Sequence, residues 1–167
     1  LLNSIIGEKI ASVSDKPQTT RTRITGIKTI GETQLVFFDT PGLHKPKNKL
    51  SEHMLNTVKE SVCGIDGVIF VMDCTKKITP QEMELLKSFN ESSMPVVLVL
   101  NKIDLLSDKS ELVPVIASLT SKINFCSVIP VSVTENSGID IVESEIMKLA
   151  SESPHHFPDD KFTDQPE

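Results

Sequence analysis

Long apolar runs are missing from these 167 residues. None approaches the roughly 20 residues needed to span a bilayer, and no basic stretch leads into an apolar segment at the start. The expectation is a soluble, intracellular chain. Cysteine is scarce as well: Cys63, Cys74 and Cys126 stand far apart with no CxxC spacing. That pattern argues against a metal cluster and against a disulfide partner, and it suits buried, inert thiols in a reducing compartment. A net charge of −6 excludes general attraction to nucleic acid by the chain as a whole. No internal repeat is present. What remains is ordinary globular usage, 38% hydrophobic and 24% charged, in a length that suggests one domain able to bury roughly 70% of its unfolded surface.

Charge is unevenly spread. Residues 1–60 carry nine Lys and Arg against six Asp and Glu, and the remainder carries eight against seventeen, so an anion site is expected early. Arg23 to Ile30 and Thr33 to Asp39 read as strands joined by a turn at Gly31-Glu32. Val68 to Asp73, Val96 to Asn101 and Ser127 to Ser132 are short apolar runs, the pattern of strands covered on both faces. Helical periods lie between and after them: Leu50, Met54, Val58 and Val62; Leu112, Ile116 and Leu119; Ile139, Val142, Ile146 and Leu149. Thr79-Pro80-Gln81-Glu82 has the composition of a capping box, and Asp108 with Glu111 has similar spacing. Strand then helix, repeated three times, predicts an α/β fold with a doubly wound, mostly parallel sheet. From residue 151 to 167 three prolines and five acidic residues accompany one lysine, which reads as a linker or tail.

In such sheets ligands collect beyond the carboxyl ends of the strands. Asn101-Lys102-Ile103-Asp104 ends one strand. A carboxylate at Asp104 accepts two parallel N–H bonds, which guanine offers at N1 and its exocyclic amine and adenine does not. Asn101 would bond the base edge and neighbouring loops, and the alkyl stem of Lys102 would lie over the ring. Asp39-Thr40-Pro41-Gly42 ends another strand. Its residues are also those of any turn; the functional reading has Asp39 holding Mg²⁺ through water while the Gly42 N–H approaches a terminal phosphate. The loop Pro17-Gln18-Thr19-Thr20-Arg21 offers two hydroxyls, either of which can reach the same cation, and Ser132-Val133-Thr134 forms a small polar turn.

Through those four segments, in that order, with Leu43-His44 after the second and His155-His156-Phe157-Pro158 and Thr163-Asp164 near the end, the chain resembles the translation-factor-class GTPases of the Era-like family. The resemblance covers essentially the whole chain. It implies a three-layer P-loop GTPase fold with GTP or GDP and Mg²⁺ as ligands. Residues 1–150 would form the GTPase domain. Gln18, Thr19, Thr20 and Arg21 would be the first switch, with Thr20 preferred as Mg²⁺ ligand. Asp39, Thr40, Pro41, Gly42 and Leu43 would be the second switch, with Asp39 and Gly42 at the catalytic centre, and Asn101, Lys102, Asp104, Ser132, Val133 and Thr134 would bind the base. Val133 stands where the family usually has Ala; the contact there is a backbone N–H, so the effect is modest. Leu43 replaces the glutamine that orients water in Ras-like enzymes, which implies slow intrinsic hydrolysis.

The phosphate-loop pattern Gly-x-x-x-x-Gly-Lys-Ser/Thr does not occur. The resemblance implies that the sequence starts inside the first helix, without the first strand and phosphate loop, and that these residues alone bind nucleotide weakly. It further implies that 151–167 leads toward an absent KH domain, the RNA-clamping module. The intact protein would then couple nucleotide state to 16S rRNA and the small ribosomal subunit. Its place would be cytoplasmic, with peripheral association at the inner membrane as a further implication. Two other readings are a related tRNA-modifying or double-GTPase type, which the Gln18 to Arg21 loop and the His155 to Pro158 tail disfavour, and a non-hydrolysing pseudo-GTPase module. His155 and His156 lack partners at metal-ligand spacing and are expected in solvent.

Overall fold

A computed structural model describes residues 1–11, 24–39 and 64–163. The expected helix through Leu50 and Val62 lies outside them, as does Cys63. The chain divides into two compact units, Leu1–Gly64 with Ala150–Glu167, and Ile65–Leu149.

In the first unit, β1 (Ile24–Ile30) and β2 (Thr33–Asp39) form the antiparallel hairpin expected from the sequence, in register from Ile24 opposite Asp39 to Ile30 opposite Thr33. Gly31 takes φ 58°, a left-handed turn conformation that costs glycine little. The short helix α1 (Leu2–Ile6) buries Ile5 and Ile6. Gly26 on β1 lets it come that close, because a Cβ there would collide with the Ile6 and Ile10 side chains. Lys28 anchors the contact by donating from Nζ to the Ile5 carbonyl at 2.6 Å.

The segment after Ala150 returns to this hairpin. Gln34 binds it at two points: its Oε1 accepts from the N–H groups of His156 and Phe157 at 2.9 Å each, and its Nε2 donates to the Phe157 carbonyl at 2.9 Å. Further on, Ile27 N–H donates to the Phe162 carbonyl at 2.9 Å and Thr163 Oγ1 donates to the Thr25 carbonyl at 2.8 Å, so the tail pairs along β1 at Gly26 and Thr163. His155 is exposed as expected, yet both ring nitrogens face acceptors: Nδ1 lies 2.7 Å from Asp159 Oδ1 and Nε2 lies 2.9 Å from the Glu32 carbonyl. A neutral imidazole has one N–H and satisfies only one of them.

The carbonyl of Glu32 and then the Asp159 carboxylate therefore raise the His155 pKa above its ordinary value. A raised folded-state pKa means that the clasp is complete below the unfolded value, about 6.5, and weakens as pH climbs through the folded one. Protection of the Ile27 and Phe157 amides against hydrogen exchange is expected to fall across that window and to lose its pH dependence in His155→Ala. A flat profile in the wild-type chain would remove the clasp.

In the second unit β3 (Val68–Asp73), β4 (Val96–Asn101) and β5 (Ser127–Val131) form a parallel sheet in the order β3-β4-β5. The expected α/β class and parallel sheet are both present. Only the central strand is covered on both faces: Val96 to Leu100 are all buried, whereas Val71 on β3 is 48% exposed. Pro130, which lacks an N–H, sits on β5, where it faces Leu100 and one strand side needs no donor. The helices α2 (Pro80–Glu91), α3 (Leu112–Thr120) and α4 (Ile139–Met147) follow the three strands. They bury Leu85, Leu86 and Phe89, then Leu112 and Leu119, then Ile139, Val142 and Ile146.

The Thr79 capping box is complete, with Glu82 N donating to Thr79 Oγ1 and Thr79 N donating to Glu82 Oε2, a stabilisation of about 1 kcal/mol. Asp108 behaves differently. Its carboxylate accepts from Ser110 N and Oγ, closing a 3-10 turn over Lys109–Glu111, and α3 begins only afterwards at Leu112. A second correction concerns the thiols. Cys126 is exposed and Cys74 half-buried, because both fall in the turns beside strand ends rather than inside the apolar runs. Both are free thiols. Burial pushes the Cys74 thiol up, with the Asp73 charge adding to it, which disfavours the thiolate. Among the described residues no helix is long and apolar enough to cross a membrane.

Candidate functional site

The carboxyl ends of the three parallel strands converge at one edge of the second unit. Register sets Asp73 of β3 beside Asn101 of β4, and Asn101 beside Val131 of β5. Strand neighbours lie about 4.8 Å apart, so side chains from the residues just beyond can meet.

Asn101 ends β4 and Lys102 then turns sharply, with φ 72° and ψ 34°. For a residue with a Cβ that conformation costs roughly 1–2 kcal/mol, the kind of strain that collects at functional sites. Asn101 holds the turn: its Oδ1 accepts from Lys102 N at 2.8 Å and from Val133 N at 3.3 Å. The amide Nδ2 is thereby left as the donor. A 3-10 turn, Ile103–Leu105, follows and anchors itself through buried Ile103. Asp104 projects from it half-buried, and its Oδ1 accepts from Ser132 Oγ at 2.6 Å.

Ser132 is fully buried. Its hydroxyl is used twice, donating to Asp104 and accepting from Glu135 N at 3.1 Å. The backbone of Ser132 and Ser137 exchanges two hydrogen bonds, 3.0 and 2.9 Å, closing a tight loop that presents Val133 and Thr134. Thr134 itself is exposed. Gly138 ends the loop with φ 78°, and a Cβ there would lie 2.7 Å from the Pro130 carbonyl, so only glycine lets α4 start at this point.

Asn101, Lys102, Asp104, Ser132, Val133 and Thr134 thus share one strand-end cluster. Asp39 lies half-buried at the end of β2 in the other unit. Gln18, Thr19, Thr20, Arg21, Thr40, Pro41, Gly42 and Leu43 lie outside the described residues. Among the described residues no group of three or more His, Cys, Asp or Glu side chains is placed to hold a metal.

Asp73 was not singled out from the sequence, although the rule that pointed to the other strand ends applies to it equally. Its Oδ2 accepts from Lys102 Nζ at 2.9 Å and its Oδ1 accepts from Thr75 N and Oγ1 at 3.0 and 2.6 Å. Burial pushes the carboxyl up, but the bonds from Thr75 and Lys102 outweigh it and hold the group well below the usual carboxylate range.

Chemically, the cluster presents a carboxyl acceptor with spare lone pairs at Asp104, an amide donor at Asn101 and an alkyl stem at Lys102. That set fits a planar heterocycle with two adjacent N–H groups on one edge.

A family model described as 50S ribosome-binding GTPase matches residues 1–102. A protein named GTPase Era from Clostridioides difficile is 42% identical over 167 residues, covering 100% of this chain and 56% of that relative. The chain spans about half the length of the curated relatives it matches. A solved Era structure in complex with MgGDPNP and nucleotides 1506-1542 of 16S ribosomal RNA superposes with a TM-score of 0.86 at 31% identity, covering 99% of this chain and 56% of that one. An Aquifex aeolicus Era variant bound to GDP.AlF4- does so with a TM-score of 0.87 at 31% identity over the same shares. The fold is that of the P-loop GTPases, and a family model that spans 102 of 167 residues settles the membership: the chain belongs to the 50S ribosome-binding GTPase family.

Proposed function

We propose that the full-length protein is a GTP-binding and GTP-hydrolysing factor of the Era type, which couples its nucleotide state to 16S rRNA on the small ribosomal subunit. The observation that carries the nucleotide reading is the bond from buried Ser132 to Asp104. It fixes a carboxylate beyond the sheet edge where two N–H donors of guanine can reach it. Each carboxylate oxygen has two lone pairs, so Oδ1 accepts from Ser132 and still accepts from a base.

Adenine would present a lone pair at N1 to that carboxylate and lose both bonds. Hydrogen bonds to charged groups contribute roughly 1.5–3 kcal/mol each, enough for strong discrimination in a dry site. The backbone N–H of Val133, which donates to Asn101 Oδ1 at 3.3 Å, is proposed to be shared with the base.

Asp39 and Thr20 are the proposed Mg²⁺ ligands. A half-buried carboxylate and a hydroxyl are hard oxygen donors, and Mg²⁺ takes one or two carboxylates while keeping waters and phosphate oxygens in its shell. When bound, the cation offsets charge on the terminal phosphates. Leu43 cannot orient the attacking water, so other groups position it and unstimulated hydrolysis is slow. The RNA partner rests on the solved Era complex with a 16S rRNA segment; a cytoplasmic place is part of the same proposal.

Calorimetric titration of the full-length protein with GDP and then ADP, both with Mg²⁺, tests the nucleotide reading. Micromolar or tighter GDP binding with at least about 100-fold weaker ADP binding is expected from two lost charged hydrogen bonds. Equal affinity for the two would overturn it.

A further inference from the structure

Asp73 has no part in the site as the sequence describes it, yet it is tied to that site more closely than most of the residues around it. Its side chain is 18% exposed at the end of β3, directly beside Asn101 in the parallel register. Three hydrogen-bond donors converge on the carboxylate, Thr75 N and Thr75 Oγ1 on Oδ1 and Lys102 Nζ on Oδ2, while the more exposed Lys76 Nζ lies farther off, 3.4 Å from Oδ2. A surface ion pair between two long, mobile side chains contributes little. This one differs, because two bonds from Thr75 fix the acceptor independently of the lysine.

Lys102 starts one residue beyond β4 in a left-handed turn, and its ammonium is found at the end of β3. The four-carbon stem therefore crosses from one strand end to the next. On its other flank Asp104 is held toward β5 by Ser132. A flat ring accepted by Asp104 would meet that stem on one face. A lysine left to roam would lose rotamer freedom each time a base bound; one already pinned does not.

We propose that Asp73 is a positioning residue for the purine site, acting through Lys102: its carboxylate holds the ammonium at the end of β3 and so keeps the lysine stem laid out as the apolar floor under the base. This rests on the guanine reading above. It goes beyond it in naming a residue from a strand outside the Asn101 to Asp104 segment and in assigning the lysine a fixed conformation before ligand arrives.

The test is a double-mutant cycle on the full-length protein, read by GDP affinity with thermal unfolding as the control for folding. Asp73→Asn is expected to weaken GDP binding by about 5- to 10-fold, the scale of a coupled charged pair, in the wild-type background. In a Lys102→Met background, which keeps an apolar stem and removes the ammonium, the same change should have no effect. Asp73→Glu, which retains the charge, should recover most of the lost affinity.

Should Asp73→Asn fail to fold, Thr75→Val loosens the carboxylate from outside the strand, and it should weaken binding in the wild-type background alone. An equal loss in both backgrounds, or no loss in either, overturns the proposal. Failure of the guanine reading shows up separately, as unselective binding of GDP and ADP by the unmutated protein.

Discussion

Replacing Asp104 by asparagine in the full-length protein is expected to reduce guanine-nucleotide affinity by about two to four orders of magnitude and to turn the preference toward xanthine nucleotides. The magnitude follows from two charge-assisted hydrogen bonds at roughly 1.5–3 kcal/mol each, with 1.4 kcal/mol per factor of ten. The direction follows from Ser132. Its hydroxyl donates to Oδ1 at 2.6 Å, and it is committed to that role because its own acceptor side takes the Glu135 N–H. In the variant the amide oxygen stays on Ser132 and the NH₂ is turned to the ligand. Guanine then meets donor with donor at its exocyclic amine. Xanthine carries a carbonyl at that position and meets the amide with an acceptor. Competition of GDP and XDP for a fluorescent nucleotide reads the switch directly, and unchanged selectivity would count against Asp104 as the base reader.

The largest effect on stability is expected at Leu100. It is fully buried on the central strand, with Met72 of β3 and Pro130 of β5 opposite it in register. Truncation to alanine removes three carbons from a site closed on both sides by other strands and on both faces by the core. The neighbours cannot collapse into the gap without breaking the ladder, so the cost should fall in the upper part of the usual 2–5 kcal/mol range for such changes, about 3–4 kcal/mol. Domains of this size have only about 5–15 kcal/mol in total.

Urea unfolding of the full-length protein should show a lower midpoint with an unchanged slope. Val71→Ala, on a half-exposed position of β3, is the comparison and should cost less than about 1 kcal/mol. A similar loss at both positions would mean that β4 is not the centre of the core. Because Asn101 follows Leu100 directly, the Leu100→Ala variant should also bind GDP less well even where it remains folded.

Much of the second unit can be read from the chain alone, and the reasons are local. Five consecutive apolar residues from Val96 to Leu100 leave no polar face, which suits only a strand covered on both sides. The Thr79 to Glu82 box closes within one helical turn, so four residues carry all the information it needs. In the first unit the Gly31-Glu32 turn is equally self-contained. Where the reading slipped, a nearby competitor intervened: Ser110 took the Asp108 carboxylate and made a 3-10 turn. Cys126 and Cys74 lie outside the apolar runs, where composition alone had suggested burial.

The candidate site divides in the same way. The Asn101 to Asp104 segment announces itself because a donor, a cation and a carboxylate stand at a strand end in a fixed short spacing. Ser132 was placed in the site by its position in the chain order. Its bond to Asp104 spans 28 residues and depends on the crossover through α3 bringing β4 and β5 side by side. Asp73 was overlooked because nothing within its own stretch distinguishes it from any acidic residue ending a strand. Its meaning comes from register with Asn101 and from the left-handed turn at Lys102.

By itself, the sequence determined the α/β class, the hairpin, the Thr79 helix cap and the chemical character of the base-reading segment, since each depends on residues only a few positions apart. Tertiary structure alone decided that Ser132 orients Asp104, that Asp73 holds Lys102 and that the residues after Ala150 pair along β1. Those contacts join positions 28, 29 and more than a hundred residues apart. Local pattern cannot specify such pairs; they exist only once the strands are in register.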